Sequence, residues 1–188
     1  MKKIIFPSST SVYGECKGIV TEEWKVCKPI SPYGQSKYDA EKVILENARK
    51  GMLEGVVLRF ATIIGSSVGM RFHTTINKFI FNQYMGKPII VWENAYEQYR
   101  PYLALSDAIR AFEFFMKPTL GNGEVYNVVT KNLTNREAVN MIRRFVPDLK
   151  ISFTRTPIIN QTSYYVDCSK LKRLGFEFEG NIFELIGE

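Results

Sequence analysis

Histidine is almost missing: His73 stands alone among 188 residues. A histidine-based metal site or a relay of several histidines is therefore excluded, and a Ser-His-Asp arrangement would rest on that single side chain. Cysteine is scarce as well. Cys16, Cys27 and Cys168 are odd in number and widely spaced, with no CxxC-type metal spacing. They read as free thiols in a reducing compartment, so a cytoplasmic location and no metal are expected. No apolar run approaches the roughly 20 residues that a membrane helix needs. The opening Met-Lys-Lys-Ile-Ile-Phe-Pro has two lysines but too short an apolar stretch for a secretory signal. Repeats, low-complexity tracts and linker-like stretches are also missing.

What is present is ordinary globular material. Hydrophobic residues make up 45% and charged residues 23%, which argues against wholesale disorder. The length fits one domain, or one domain with part of another. Basic residues outnumber acidic ones, 25 to 19, for a net charge of +6. The excess is dispersed. Its densest cluster, Lys170, Lys172 and Arg173, lies beside Leu171 and Leu174 and reads as the polar face of an amphipathic helix. Without a basic stripe or an aromatic ladder, nucleic-acid binding is not expected. A phosphorylated small molecule stays open.

Short apolar runs alternate with helical stretches along the chain. Lys3 to Phe6 reads as a buried strand ended by Pro7 and a Ser/Thr cluster. Ser31-Pro32 opens a helix that carries Ala40, Val43, Ile44 and Ala48 on one face and stops before Gly51. Val56 to Phe60 is a second buried strand, after which longer loops are expected. Phe72 to Tyr84 reads as a helix, and Pro88–Trp92 and Tyr102–Leu105 as extended segments. Ser106-Asp107 is read as the cap of a helix running through Met116. Glu124 to Val129 is a strand, and Thr134 with Glu137 forms a capping box for a helix to Phe145. Ile151–Phe153 is a short strand and Ser169–Leu174 a short helix. Strands alternating with helices predict an α/β fold with a largely parallel sheet.

Within this pattern, Tyr33-Gly34-Gln35-Ser36-Lys37 has chemical meaning. Residues four apart share a helix face. A lysine ammonium near a phenol favours the phenolate, and the positive end of the helix acts in the same direction. Such a tyrosine can take a proton from a substrate hydroxyl or return one. The bland alternative is a surface tyrosine and lysine. Upstream, Ser8-Ser9-Thr10-Ser11-Val12-Tyr13-Gly14 directly follows a strand, where α/β proteins bind ligands. A hydroxyl there can bond a substrate oxygen, or simply build a turn.

Five segments taken together resemble a known family: FPSSTSVYG, SPYGQSK, LRFATIIG, YRPYLALSDAIRA and EVYNV. Their order and spacing are similar to those of the extended short-chain dehydrogenase/reductases, the NAD-dependent epimerase/dehydratase family of the UDP-glucose 4-epimerase type. The resemblance implies the C-terminal part of a Rossmann-type parallel sheet plus a smaller α/β substrate-binding domain. The division falls at residues 1–65 and 66–188, with some later segments returning to the sheet. It implies Tyr33 as acid/base, Lys37 on the nicotinamide ribose, and Ser9 on the sugar hydroxyl. Ser8 and Ala61 would lie near the cofactor, while Thr62, Asn77 and Arg100 would meet the substrate, Arg100 at its nucleotide diphosphate. The implied chemistry is transient hydride transfer at a sugar carbon of a nucleotide sugar, with NAD or NADP as cofactor. Pairing into a homodimer is implied too, through the helix that carries Val43 and Ile44, although burial in its own core accounts for those two equally well.

Departures from the family pattern carry information. The glycine-rich turn that binds the dinucleotide pyrophosphate is not found. The only GxG, Gly121-Asn122-Gly123, precedes a strand. Roughly a hundred residues precede the Ser-Ser segment in the family. The chain therefore reads as the carboxyl-terminal part of such an enzyme, from a truncated gene, a fragment or a split pair, and an uncovered sheet edge is expected to associate with another chain. Thr10 and Ser11 stand where dehydratases place Asp-Glu, which disfavours elimination of water. Thr62 replaces an asparagine, Ala104 a histidine, and Asn160 and Thr162 an Asp and an Arg. A fragment kept as a non-catalytic binding or assembly module, or an NADP-dependent reductase of the same fold, is the alternative.

Overall fold

The computed structural model describes residues 3–24, 27–155 and 163–187. Asn160 and Thr162 lie outside the described residues. Three parallel strands form the first sheet, in the order β1 (Lys3–Ser9), β3 (Glu54–Phe60), β7 (Glu124–Val128). The run Gly55 to Phe60 is buried throughout, as the central strand of a sheet covered on both faces requires. Helix α1 (Pro32–Arg49) links β1 to β3 and packs on both. Helices α3 (Leu105–Phe115) and α5 (Ser169–Arg173) add Ala108, Ala111, Phe115 and Leu171 to the same core as Val56 and Leu58. The sheet and its helices give the α/β class that the alternating pattern predicts.

A second core lies beyond the first sheet. Strand β4 (Thr62–Ile64) runs parallel to β6 (Tyr99–Ala104), and β8 (Lys131–Thr134) pairs antiparallel on its other side. Strands β2 (Gly18–Val20) and β10 (Tyr164–Val166) pair in parallel but add Val20, Tyr164 and Val166 to the first core, whereas β5 (Ile89–Trp92) pairs in parallel with β9 (Ile151–Thr154) in the second. Helices α2 (Thr75–Tyr84), α4 (Asn135–Phe145) and α6 (Ile182–Gly187) complete it, with Ile76, Phe79, Val139, Ile142, Ile182 and Ile186 inside.

Several local expectations need correction. Ser106-Asp107 does not cap α3. The helix begins at Leu105, and Asp107 is fully buried. Its carboxylate accepts from the Glu179 N–H at 2.9 Å and the Thr130 hydroxyl at 2.7 Å, so it ties two loops down instead. Helix α2 starts at Thr75 rather than Phe72, and Phe72 folds back onto Phe81, their ring centres 4.8 Å apart. The stretch after Phe60 is a strand, β4, too short to show a period in sequence. Val43 is 60% exposed, so the core of its own chain does not explain it. Lys170 donates to the Glu124 carboxylate at 2.6 Å and the Val125 carbonyl at 2.9 Å, which uses up part of the basic cluster. No helix among the described residues is long and apolar enough to cross a membrane. No disulfide joins Cys16, Cys27 or Cys168 among the described residues, and burial pushes the Cys16 and Cys168 thiols up to about 11.

Candidate active site

The first-sheet strands end together because they run parallel: Ser8 pairs with Arg59 and Ser9 with Phe60. Their carboxyl ends open onto a cleft of about 480 Å³. Ligands of open α/β sheets bind at this end, and the volume is of the size that small-molecule sites have. Ser8, Ser9, Tyr33, Lys37, Ala61, Thr62, Asn77 and Arg100 all line it. The fold thus gathers at one place eight residues that the sequence spreads over more than ninety positions.

Helix α1 delivers two of them. Ser31 caps it, its Oγ accepting from the Gly34 N–H at 3.1 Å, with Pro32 in the first turn. Gly34 lets the helix close on the turn after β1, since a Cβ there would stand 2.9 Å from the Ser11 carbonyl oxygen. Tyr33 is consequently held beside that turn while staying 48% exposed on the cleft side. Lys37 Nζ donates to the Pro7 carbonyl at 2.8 Å and stands 5.8 Å from the centre of the Tyr33 ring.

The turn after β1 supplies the hydroxyls. Ser9 opens a 3-10 turn over Thr10–Tyr13; its Oγ accepts from the Ser11 N–H at 3.1 Å and donates to Ser11 Oγ at 3.1 Å. Gly14 ends the turn at φ 63°, and a Cβ there would overlap the Lys28 carbonyl oxygen at 1.6 Å, so no other residue fits. Ser8 is buried and donates its hydroxyl to the Glu41 carboxylate.

The second core supplies the far wall. Ala61 continues β3 and donates its N–H to the Val128 carbonyl at 3.2 Å, and Thr62 opens β4. Asn77 is 2% exposed; its Nδ2 donates to the Arg71 carbonyl at 3.2 Å, and its Oδ1 has no partner among the described residues. Arg100 lies on β6 and donates to the Gln98 side chain and the Tyr99 carbonyl, both at 2.8 Å. Burial pulls the Arg100 guanidinium below its ordinary pKa, so a desolvated cation faces the cleft and gains from an anionic ligand.

Some lining residues had no sequence signal. Arg71 sits in a Gly/Ser-rich loop, and Tyr164 lies on three-residue β10. Burial raises the Tyr164 phenol, and a hydrogen bond with Thr10 works against that rise. Glu41 and Arg59, which back the cleft, carry no sequence signal: Glu41 stands among the charged residues of α1, where a solvated face is expected, and Arg59 is one charge within the apolar run of β3. Lys37, Arg71 and Arg100 line the cleft together with no carboxylate among the described residues. No group of three or more metal-ligating side chains occurs among the described residues. Gly121-Asn122-Gly123 lies at the opposite end of the sheet, where the Gly123 N–H donates to the Gly55 carbonyl at 2.7 Å. It therefore takes no part in the cleft.

Comparison with known proteins agrees with this architecture. The chain is 28% identical, over 96% of its length, to the trifunctional UDP-glucose 4,6-dehydratase/UDP-4-keto-6-deoxy-D-glucose 3,5-epimerase/UDP-4-keto-L-rhamnose-reductase RHM2 of Arabidopsis thaliana, of which it covers 28%. It is 27% identical, over 93% of its length, to the uncharacterized UDP-glucose epimerase YtcB of Bacillus subtilis, of which it covers 54%. The crystal structure of UDP-glucuronic acid 4-epimerase from Bacillus cereus, in complex with UDP-glucuronic acid and NAD, superposes with a TM-score of 0.85 at 22% identity. That match takes in 98% of this chain and 59% of the other, and at such identity it shows the fold. The chain thus spans between about a quarter and three-fifths of these relatives. The model of the NAD dependent epimerase/dehydratase family matches residues 1–129, and together with the parallel sheet and its cleft this establishes that the chain belongs to that family.

Proposed function

We propose that this chain carries the catalytic and substrate-binding part of a nucleotide-sugar epimerase that works with NAD in a reducing compartment. One observation supports this most: Tyr33, Lys37 and Ser9 line the same cleft as the half-buried cation Arg100 and the unpartnered Asn77 Oδ1. The residues at the strand ends suit the nicotinamide end of a dinucleotide. Ser8, Ser9 and Lys37 provide polar contacts there, Ala61 is small and apolar, and no carboxylate repels the phosphates. NAD, when bound, takes up and returns the hydride at the sugar carbon.

The chain's own residues handle the rest. Tyr33 removes the proton from the sugar hydroxyl as the carbon is oxidised, and returns it after the keto-sugar has turned over. Ser9 holds the same oxygen by a hydrogen bond. Lys37 lies one helical turn beyond Tyr33 and lines the same cleft, where its ammonium donates to the ribose of the cofactor's nicotinamide end. Arg100 binds the diphosphate, where a planar guanidinium matches two phosphate oxygens at once. Asn77 Oδ1 needs a donor, and a sugar hydroxyl supplies one. Thr62 adds a shorter hydrogen-bonding arm. Epimerisation is favoured over loss of water because Thr10 and Ser11 are hydroxyls where an elimination needs an acid and a base.

Two surfaces support assembly. The outer edge of β1 carries no strand among the described residues, and Ile4 on it is 39% exposed. An open parallel edge accepts a further strand, so additional βαβ units of the family fold would dock here. Val43, exposed on α1, suits contact with a second copy.

The test is turnover of UDP-sugars in the presence of NAD, followed by NMR of the sugar protons. Tyr33→Phe is expected to lower the rate by about 10²- to 10⁴-fold, the usual worth of a positioned acid/base, with the fold unchanged. Equal rates for parent and variant would contradict the assignment.

A further inference from the structure

Behind the cleft lies a charged pair that the proposed chemistry does not use. Glu41 is on α1, four residues past Lys37 and eight past Tyr33, so the three form one stripe along the helix. Its side chain is 1% exposed, and that of its partner Arg59, on β3, is 5% exposed. Arg59 Nη2 donates to Glu41 Oε2 at 2.7 Å and Arg59 Nε to Glu41 Oε1 at 3.0 Å. Glu41 Oε1 also accepts the Ser8 hydroxyl. Beneath, the Arg59 guanidinium stacks 4.8 Å from the centre of the Tyr13 ring, and the Tyr13 hydroxyl donates to Asn127 Oδ1 at 2.7 Å.

Stability alone does not account for such a pair. Removing two charges from water costs about as much as their attraction returns, and a well-packed apolar pair of the same volume holds a helix to a strand as firmly. An apolar pair cannot accept the Ser8 proton. With that proton committed to Glu41, Ser8 can offer the cleft only oxygen lone pairs.

We propose that Glu41 is a positioning residue: held by Arg59, it fixes the Ser8 hydroxyl as an obligate acceptor toward the cleft and sets the roll of α1 that presents Tyr33 and Lys37. A ligand group seated at Ser8 must then be a hydrogen-bond donor, such as an amide N–H or a hydroxyl. The functional part of this statement rests on the dinucleotide reading above, whereas the state of the Ser8 proton does not.

The experiment has an arm for each part. In the first, Ser8→Cys turns position 8 into a titratable probe, and its alkylation by iodoacetamide is followed against pH by peptide mass spectrometry. The ionisable groups around it are Glu41 and Lys37 from α1, Arg59 from β3, and the Cys27 thiol. A carboxylate that takes the thiol proton and repels the thiolate raises the midpoint above the free-thiol value near 8.5. In Ser8→Cys/Glu41→Gln the midpoint should fall by about one pH unit. A general loosening of structure is read separately, as faster alkylation of the buried Cys16 and Cys168, which should stay unchanged. Identical midpoints would overturn the proposal.

In the second arm, NAD is titrated by quenching of protein fluorescence. Against Arg59, the amide of Glu41→Gln presents its oxygen to the guanidinium and its NH₂ to Ser8, which turns the Ser8 proton toward the cleft. About a tenfold loss of NAD affinity is expected, the usual cost of one mispaired buried group. Glu41→Met/Arg59→Leu should melt at or above the parent temperature with the same loss. Unchanged affinity in both variants would refute the functional part. Failure of the parent to take up NAD would count against the dinucleotide reading, and the first arm would still decide the Ser8 claim.

Discussion

Arg100 and Asn77 reach the cleft from the second core: Asn77 is buried with its Oδ1 unpartnered among the described residues, and Arg100 is a half-buried, partly desolvated cation. Arg100→Met should weaken UDP-sugar binding about tenfold or more, since hydrogen bonds to charged groups carry roughly 1.5–3 kcal/mol, and calorimetry would read it; unchanged affinity would move the diphosphate elsewhere. Glu22 allows a different test. Burial raises its carboxyl pKa, and its Oε1 accepts from the Asn127 N–H at 2.8 Å. The folded protein therefore holds a proton that the unfolded chain has already released as pH rises past the ordinary glutamate range. More protons on the folded state mean that stability falls with rising pH across the window above 4.5. Denaturant melts from pH 4 upward should show this slope in the parent and a flatter profile in Glu22→Gln. At this scale the sequence was legible where a motif repeats a chemical logic, as in Tyr33 and Lys37. It was silent for Arg71 and Glu41, whose roles depend on what the fold sets beside them.

Helix α1 is the element that turns a spacing into a site. Its cap, its early proline and its buried Gly34 bring its first turn against the Ser9–Tyr13 turn. Gly34→Val should push the two apart and cut turnover more than it cuts stability, measured as kcat beside the denaturation midpoint. Helix α4 is controlled in a simpler way. Thr134 Oγ1 accepts from the Glu137 N–H at 3.1 Å, and the Glu137 carboxylate accepts from the Thr134 N–H at 2.7 Å. Thr134→Ala should cost about 1 kcal/mol in a chemical melt. That capping box was readable in sequence because both partners are local. The cap assigned to Ser106-Asp107 failed because the Asp107 carboxylate has distant partners, the Glu179 amide and the Thr130 hydroxyl. Strands β2, β4 and β10 have three residues each, below the length at which alternation can be seen.

Across the whole molecule, the first sheet and the second core face each other over the cleft, so ligand binding should couple them. The open edge of β1 and the exposed Val43 point to further assembly. Sedimentation equilibrium should find the chain associated, and Val43→Glu should shift it toward smaller species; a concentration-independent monomer would contradict the assembly. Parallel topology was legible from the alternation of strands and helices. The return of β7 to the first sheet, about sixty residues after β3, was legible only in part: later segments were expected to come back to that sheet, without the partner strand being readable. We propose that a nucleotide sugar binds in the cleft at the carboxyl ends of β1 and β3. Amide shift mapping by NMR with UDP-glucose and NAD tests it most directly. Shifts should concentrate at Ser8, Ser9, Ala61, Thr62, Asn77 and Arg100 and in the first turn of α1; shifts confined to other surfaces, or none at saturating ligand, would place the ligand elsewhere and overturn the assignment.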